Sequence, residues 1–223
     1  ATDKQLNRLP DQWRVWDIPG TAARSVNPFV SCPPHHSRHT QPWAGAQAWR
    51  VQPVIYIGIG SNLSDSVHGG PRDICTAALD RLGGEGVRIT GLSRWYESAP
   101  VPLSDQPWFV NAVAALETDR GAADLLALLH TVEAAFGRVR RQVNEARVLD
   151  LDLLDYHGQV HGPVAGGGAG PVLPHPRLHQ RGFVLLPLRD VAPDWRHPVT
   201  GQDIDALIAA LDPGQTTRPL PGS

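Results

Sequence analysis

Lysine is nearly missing from this 223-residue chain: Lys4 is the only one among 20 basic residues. Every fixed positive side chain from residue 5 onward is therefore an arginine, which excludes both a phosphate-loop lysine and a Schiff-base lysine there. Any phosphate chemistry must use guanidinium groups. Cysteine is scarce as well. Cys32 and Cys75 stand alone, outside any C-x-x-C pair. They cannot form a disulfide framework or a thiolate zinc cage, and they point to a reducing compartment, the cytoplasm. Long apolar runs are absent too; the longest, near residues 125–129 and 183–188, fall far below the ~18 residues that cross a bilayer. No membrane association is expected. Nor is there an excess of charge of one sign, the formal net charge being -2. That balance argues against a dedicated nucleic-acid binder, which carries a basic face to neutralise phosphates.

What is present divides the chain. Residues 1–53 hold Trp13, Trp16, Trp43, Trp49 and seven prolines with no sustained period of 3.6 or 2, and read as a poorly ordered Pro/Trp-rich extension. Cys32, His35, His36 and His39 cluster within it, but Pro33 and Pro34 prevent one helix from presenting all four. From Val54 the pattern becomes regular. A β-branched run over 54–60 closes on glycine, and a helix opening at Pro71 runs to Gly83-Gly84. Residues 87–96 alternate as a second strand, and 108–117, apolar on both faces, form a third strand covered on two sides. A helix through Leu125, Leu129, Val132 and Phe136 ends at Gly137, a fourth strand spans 148–156, and short helices follow over 183–191 and 204–211. Strands and helices mix without strict alternation, which predicts an α+β fold with a mainly antiparallel sheet over 54–213. Residues 214–223 read as a flexible C-terminal tail.

Asp150-Leu151-Asp152-Leu153-Leu154 is the sharpest local feature. Strand alternation puts both carboxylates on one face, ~6.6 Å apart along the backbone, with Leu149, Leu151 and Leu153 opposite. Such a pair is either a solvated strand face or the oxygen ligands of a hard divalent cation that binds together with substrate phosphates. Arg138, Arg140, Arg141 and Arg147 precede it. These guanidinium groups either complement a helix C-terminus and pair with the aspartates, or spread over a polyphosphate. Asn111 lies mid-strand with Phe109 on the same face. It is either a satisfied core amide or the edge-reading group for a flat heteroaromatic ligand.

Together these residues resemble the 6-hydroxymethyl-7,8-dihydropterin pyrophosphokinase family over most of 54–213. The matching stations, in order, are Ile59-Gly60-Ser61-Asn62-Leu63, Tyr96-Glu97-Ser98-Ala99-Pro100, the stretch from Asp105 to Asn111, Gly137-Arg138-Val139-Arg140, Arg147 to Asp152, Pro174-His175 and Arg181-Gly182-Phe183. Each is weak alone; their order and spacing are specific. The resemblance implies a three-layer α/β/α, ferredoxin-like fold, ATP as co-substrate with two Mg²⁺ ions, and transfer of pyrophosphate to the pterin hydroxymethyl group with AMP leaving, a step of folate biosynthesis. It makes Asp150 and Asp152 the metal ligands. Ser98, Ala99, Val101, Phe109, Asn111 and Phe183 become pterin contacts. Arg138, Arg140 and Arg147 become catalytic groups near the phosphates, and His130, Glu133, Arg140, Arg147, His175 and Arg181 become nucleotide contacts.

The chain also departs from the family pattern. Val143-Asn144-Glu145-Ala146 stands where Arg-Trp-Gly-Pro is common, and Pro176 where tyrosine is frequent. The alternative to an active enzyme is a non-catalytic pterin or nucleotide-binding module with a decayed loop. The tryptophan-rich extension is a candidate surface for another folate-pathway enzyme.

Overall fold

The structure, a computed structural model, describes residues 54–137, 146–162 and 170–222. The extension at 1–53, together with Arg138, Arg140 and Arg141, lies outside the described residues.

The central strand β1 (Ile55–Ser61) pairs antiparallel on one side with β4 (Phe109–Glu117) and on the other with β5 (Asp150–Tyr156). Helix α1 (Pro71–Gly84) crosses from β1 to β2 (Arg88–Leu92), and α2 (Ala122–Ala135) crosses from β4 to β5. Proline at the first position of α1 costs no backbone hydrogen bond, and the Asp73 carboxylate accepts from the Gly70 N–H at 3.1 Å, which fixes the helix start. The resulting β-α-β-β-α-β order with every strand pair antiparallel is the ferredoxin-like arrangement.

Strand alternation builds two cores. Ile55, Ile57 and Ile59 of β1, Ala112, Ala114 and Leu116 of β4, and Leu151 and Leu153 of β5 pack beneath Ile74 and Leu82 of α1 and Leu125 and Leu129 of α2. Val113 and Leu154 face the other way, onto Leu185 and Leu188 of α3 (Gly182–Val191) and Ile204 of α4 (Ile204–Ala209). The sheet is thus covered on both faces, the third layer that gives the expected α/β/α sandwich. A bulge leaves Leu154 without a partner on β1, between the Asp155 and Leu153 pairings. The Asp155 carboxylate, 2% exposed, accepts from the Trp195 indole N–H at 2.8 Å and from the Gly158 N–H at 2.7 Å, tying the second helical layer to the sheet.

Two expectations need correction. The single strand foreseen over 87–96 is divided into β2 and β3 (Tyr96–Ser98), both paired with β4. Between them the Ser93 hydroxyl accepts from the Val113 N–H at 3.0 Å; a side chain there does what a strand carbonyl would have done, and the register advances. The tail at 214–223 is also not free chain throughout. Thr217–Pro219 forms β6 and extends the sheet beyond β3. Its sequence carries no alternation to announce this, because the pairing is supplied by the open edge of β3.

Burial holds Asp155 above the ordinary carboxylate value of 3.8, with the Trp195 hydrogen bond opposing that rise. Removing a donor to a buried carboxylate costs about 1–3 kcal/mol. The bond favours the ionised form. Trp195→Phe should therefore lose stability most at pH values above the Asp155 titration, the deficit shrinking as pH falls through it. Urea unfolding of both proteins between pH 3 and 8 measures the difference; a deficit independent of pH would count against this role for Asp155.

Candidate active site

Gly60 sits in register with Asn111 on β4 and with Asp150 on β5. Three neighbouring strands therefore bring an amide, a bare backbone and a carboxylate into one row on the sheet face away from α1 and α2. The bareness matters, because a Cβ on Gly60 would stand 2.9 Å from Asn111 Oδ1. On this same face Val113 and Leu154 lie under α3 and α4, whereas Asn111 and Asp152, two residues earlier on their strands, do not join that core. The helical layer covers one half of the face and leaves the other half as a cleft.

That cleft has a cavity of about 210 Å³ lined by Gly60, residues 98–102, Phe109, Asn111, Arg147, Asp150, Arg177, Gln180, Arg181, Phe183 and Gln215. One end is apolar and amide-bearing. Asn111, 6% exposed, donates through Nδ2 to Ser98 Oγ at 2.9 Å, so its Oδ1 is turned toward the space above Gly60. Phe109, Phe183 and residues 99–102 complete that end.

The other end is charged. Arg147 pairs with Asp150. Arg181 Nη1 donates to Asp152 Oδ2 at 3.1 Å, and its guanidinium lies 5.4 Å from the centre of the Phe183 ring. His175 Nε2 is 3.9 Å from the same Asp152 oxygen. Burial dominates the titration of both basic groups. It pulls the His175 imidazole below 6.5, against the pull of Asp152, and lowers the Arg181 guanidinium from its ordinary range, again against Asp152. His175 Nδ1 accepts from the Arg177 N–H at 3.2 Å, which leaves the ring proton on Nε2, facing the carboxylate. The two carboxylates are hard oxygen donors beside Arg147, Arg181 and His175. Among the described residues no group of three or more His, Cys, Asp or Glu side chains could hold a metal alone. The donor set suits a cation that takes its remaining ligands from phosphate oxygens and water, as Mg²⁺ does.

The sheet thus brings Ser98, Ala99, Val101, Phe109, Asn111 and Phe183 to one end of the cleft, and Arg147, Asp150 and Arg181 to the other, with Asp152 and His175 beside Arg181. Two of the expected nucleotide contacts do not line this cavity. Glu133, 1% exposed, accepts from the Leu151 N–H at 2.8 Å and so covers an amide of β5, the edge strand of the sheet. His130 is exposed on α2 and does not line the cavity. Arg138 and Arg140 lie outside the described residues.

Other residues were given no site role from the sequence. Gly60 and Asn62 belong to the first of the family stations, a run that otherwise reads as a strand end and a turn. Asn62 Oδ1 accepts from the Arg147 N–H at 2.7 Å, and its Nδ2 donates to the Pro107 carbonyl at 3.1 Å, so one buried amide ties the segment before β5 to the loop before β4. Arg177 and Gln180, at the two ends of one short turn, and Gln215, from the segment after α4, also reach the cavity, and nothing in their local sequence marks them.

The comparisons with known proteins show the family. The family described as 7,8-dihydro-6-hydroxymethylpterin-pyrophosphokinase matches residues 56–193. The chain is 40% identical over 174 residues to 2-amino-4-hydroxy-6-hydroxymethyldihydropteridine pyrophosphokinase of Pseudomonas aeruginosa, covering 76% of this chain and 98% of that one. It is 35% identical over 165 residues to the protein of the same name from Methylorubrum extorquens, covering 73% and 96%. It also matches part of the folic acid synthesis protein fol1 of Pneumocystis carinii, 34% identical over 158 residues, which are 71% of this chain and 20% of that protein. Matched by that family over residues 56–193, and by two relatives over almost their whole length at 35% and 40% identity, the chain belongs to the 7,8-dihydro-6-hydroxymethylpterin-pyrophosphokinase family.

Proposed function

We propose that this chain transfers a pyrophosphoryl group from ATP to the hydroxymethyl oxygen of 6-hydroxymethyl-7,8-dihydropterin, with AMP leaving, as a Mg²⁺-dependent enzyme of cytoplasmic folate biosynthesis. The observation that carries this reading is the row Asn111, Gly60, Asp150 across three strands. It joins a slot for a flat heterocycle directly to a site for phosphate.

Asn111 Oδ1, turned over the bare Gly60 backbone, accepts from the N–H groups along the pterin edge. Phe109 and Phe183 hold the ring faces. Seating the ring there aims its hydroxymethyl group at the charged end. The oxygen–β-phosphorus bond forms as the bond between the β-phosphorus and the AMP oxygen breaks, and the hydroxyl proton is released to solvent. Asp150 and Asp152 would hold two Mg²⁺ ions, which supply neutralisation and orientation of the triphosphate. Among the described residues Arg147 and Arg181, now paired with those carboxylates, are guanidinium groups placed to spread the charge that builds on the transferring and leaving oxygens, a role the family pattern also gives Arg138 and Arg140. His175, neutral with its proton on Nε2, donates a hydrogen bond in the same region without adding a fixed charge.

The defining experiment incubates the purified chain with ATP, MgCl₂ and 6-hydroxymethyl-7,8-dihydropterin and measures AMP against a control without pterin. Pterin-dependent AMP is expected. Pterin binding with no AMP would replace the enzyme by a binding module. Asp152→Ala should lower kcat by more than about a hundredfold while the chain remains folded; retained turnover would remove Asp152 from the metal site. Gly60→Ala should raise the KM for pterin by about tenfold or more, because the new methyl displaces Asn111 Oδ1, with the KM for ATP changing little. An equal rise in both would mean that the row does not separate the two substrates.

A further inference from the structure

The segment that follows α4 has a place in the site that its sequence does not announce. Gln215 reaches across to the short stretch between the 3₁₀ turn (Leu178–Gln180) and α3, and its amide makes two bonds there. Its Oε1 accepts from the Gly182 N–H at 2.8 Å and its Nε2 donates to the Gln180 carbonyl at 2.8 Å. The residue between these two anchors is Arg181. Helix α3 starts at Gly182 with no capping side chain of its own, so a glutamine from more than thirty residues away supplies the cap.

The same segment holds the opposite wall of the cleft. The Ala99 N–H donates to the Thr216 carbonyl at 3.1 Å, and Thr217 pairs with Ser98. Three consecutive residues, Gln215, Thr216 and Thr217, therefore join the Ser98-Ala99 wall to the Arg181-Phe183 wall.

We propose that Gln215 is a positioning residue, clamping the backbone on both sides of Arg181 so that this guanidinium is held toward Asp152 and against the Phe183 ring. Arg181 is a long side chain with many rotamers, and it reaches a single carboxylate oxygen at 3.1 Å. Fixing the backbone on both sides removes part of the conformational freedom that would otherwise be lost when a phosphate oxygen is engaged. Glycine at 182 fits the clamp, since a Cβ there would lie 3.4 Å from both Gln215 Oε1 and Thr217 Oγ1, at the limit of close contact.

This inference rests on the pyrophosphokinase reading, and the experiment separates the two. The wild-type chain is first assayed for pterin-dependent AMP; its absence overturns that reading. In an active enzyme, Gln215→Ala lowers kcat about tenfold, the effect of losing two backbone hydrogen bonds. In an Arg181→Ala background the same change costs less than about twofold, since a residue acting through Arg181 has nothing left to position. Gln215→Glu falls between, because a carboxylate still accepts from Gly182 but cannot donate to Gln180. Independent, multiplying losses, or no loss in Gln215→Ala, overturn the proposal. A readout that needs no turnover is the Arg181 Nε–H signal in an NMR spectrum, identified by its loss in Arg181→Lys. It is resolved from the exposed arginines in the wild type and joins them in Gln215→Ala; an unmoved signal overturns the clamp whether or not the chain turns over.

Discussion

The site depends above all on the register of β1 between β4 and β5. Antiparallel pairing sets Gly60 opposite Asn111 on one side and Asp150 on the other. Because side chains alternate across a strand, a slip of one residue on either side would turn the amide or the carboxylate into the apolar core beneath α1 and α2. The core opposes that slip strongly. Ile55, Ile57 and Ile59 are almost wholly buried on that face, as are Leu149, Leu151 and Leu153, and exchanging them for Asn111, Asp150 and Asp152 would bury polar groups without partners. The hydrophobic side of the sheet thereby fixes the chemical side.

The division of the opposite face follows from the same alternation. Each of β4 and β5 carries a polar residue and then, two positions on, an apolar one: Asn111 before Val113, Asp152 before Leu154. Helices α3 and α4 pack on the apolar half and stop where burial would cost more than it returns. At the boundary Arg181, the residue that precedes α3, is drawn toward Asp152. Burial alone opposes a charged guanidinium; the carboxylate offsets it, and the pair leaves a cation at the cleft that a lone arginine could not supply at so small a loss of solvation.

Much of this was legible in the sequence, for stated reasons. The alternation in 148–156 placed Asp150 and Asp152 on one face, and the two-sided apolarity of 108–117 foretold a strand covered by both layers. Near-absence of lysine left arginine as the fixed cation for any phosphate site, and Arg147 and Arg181 stand at the charged end. Legibility stopped where a role depends on distant partners. The division of 87–96 at Ser93 rests on a hydroxyl meeting the Val113 amide, and the bond from the Leu151 N–H to Glu133 joins two elements that no local pattern connects.

Local pattern by itself therefore determined the elements, the two carboxylates on a shared face and the ring-and-amide pair Phe109 and Asn111, since each follows from a period of 2 or 3.6 within a few residues. Only the tertiary structure decided that Gly60 must be bare, that Asn62 ties Arg147 to the loop before β4, and that Gln215 closes the turn around Arg181. Those three depend on contacts between segments far apart in the chain, and no periodicity records which backbone amide a distant side chain will meet.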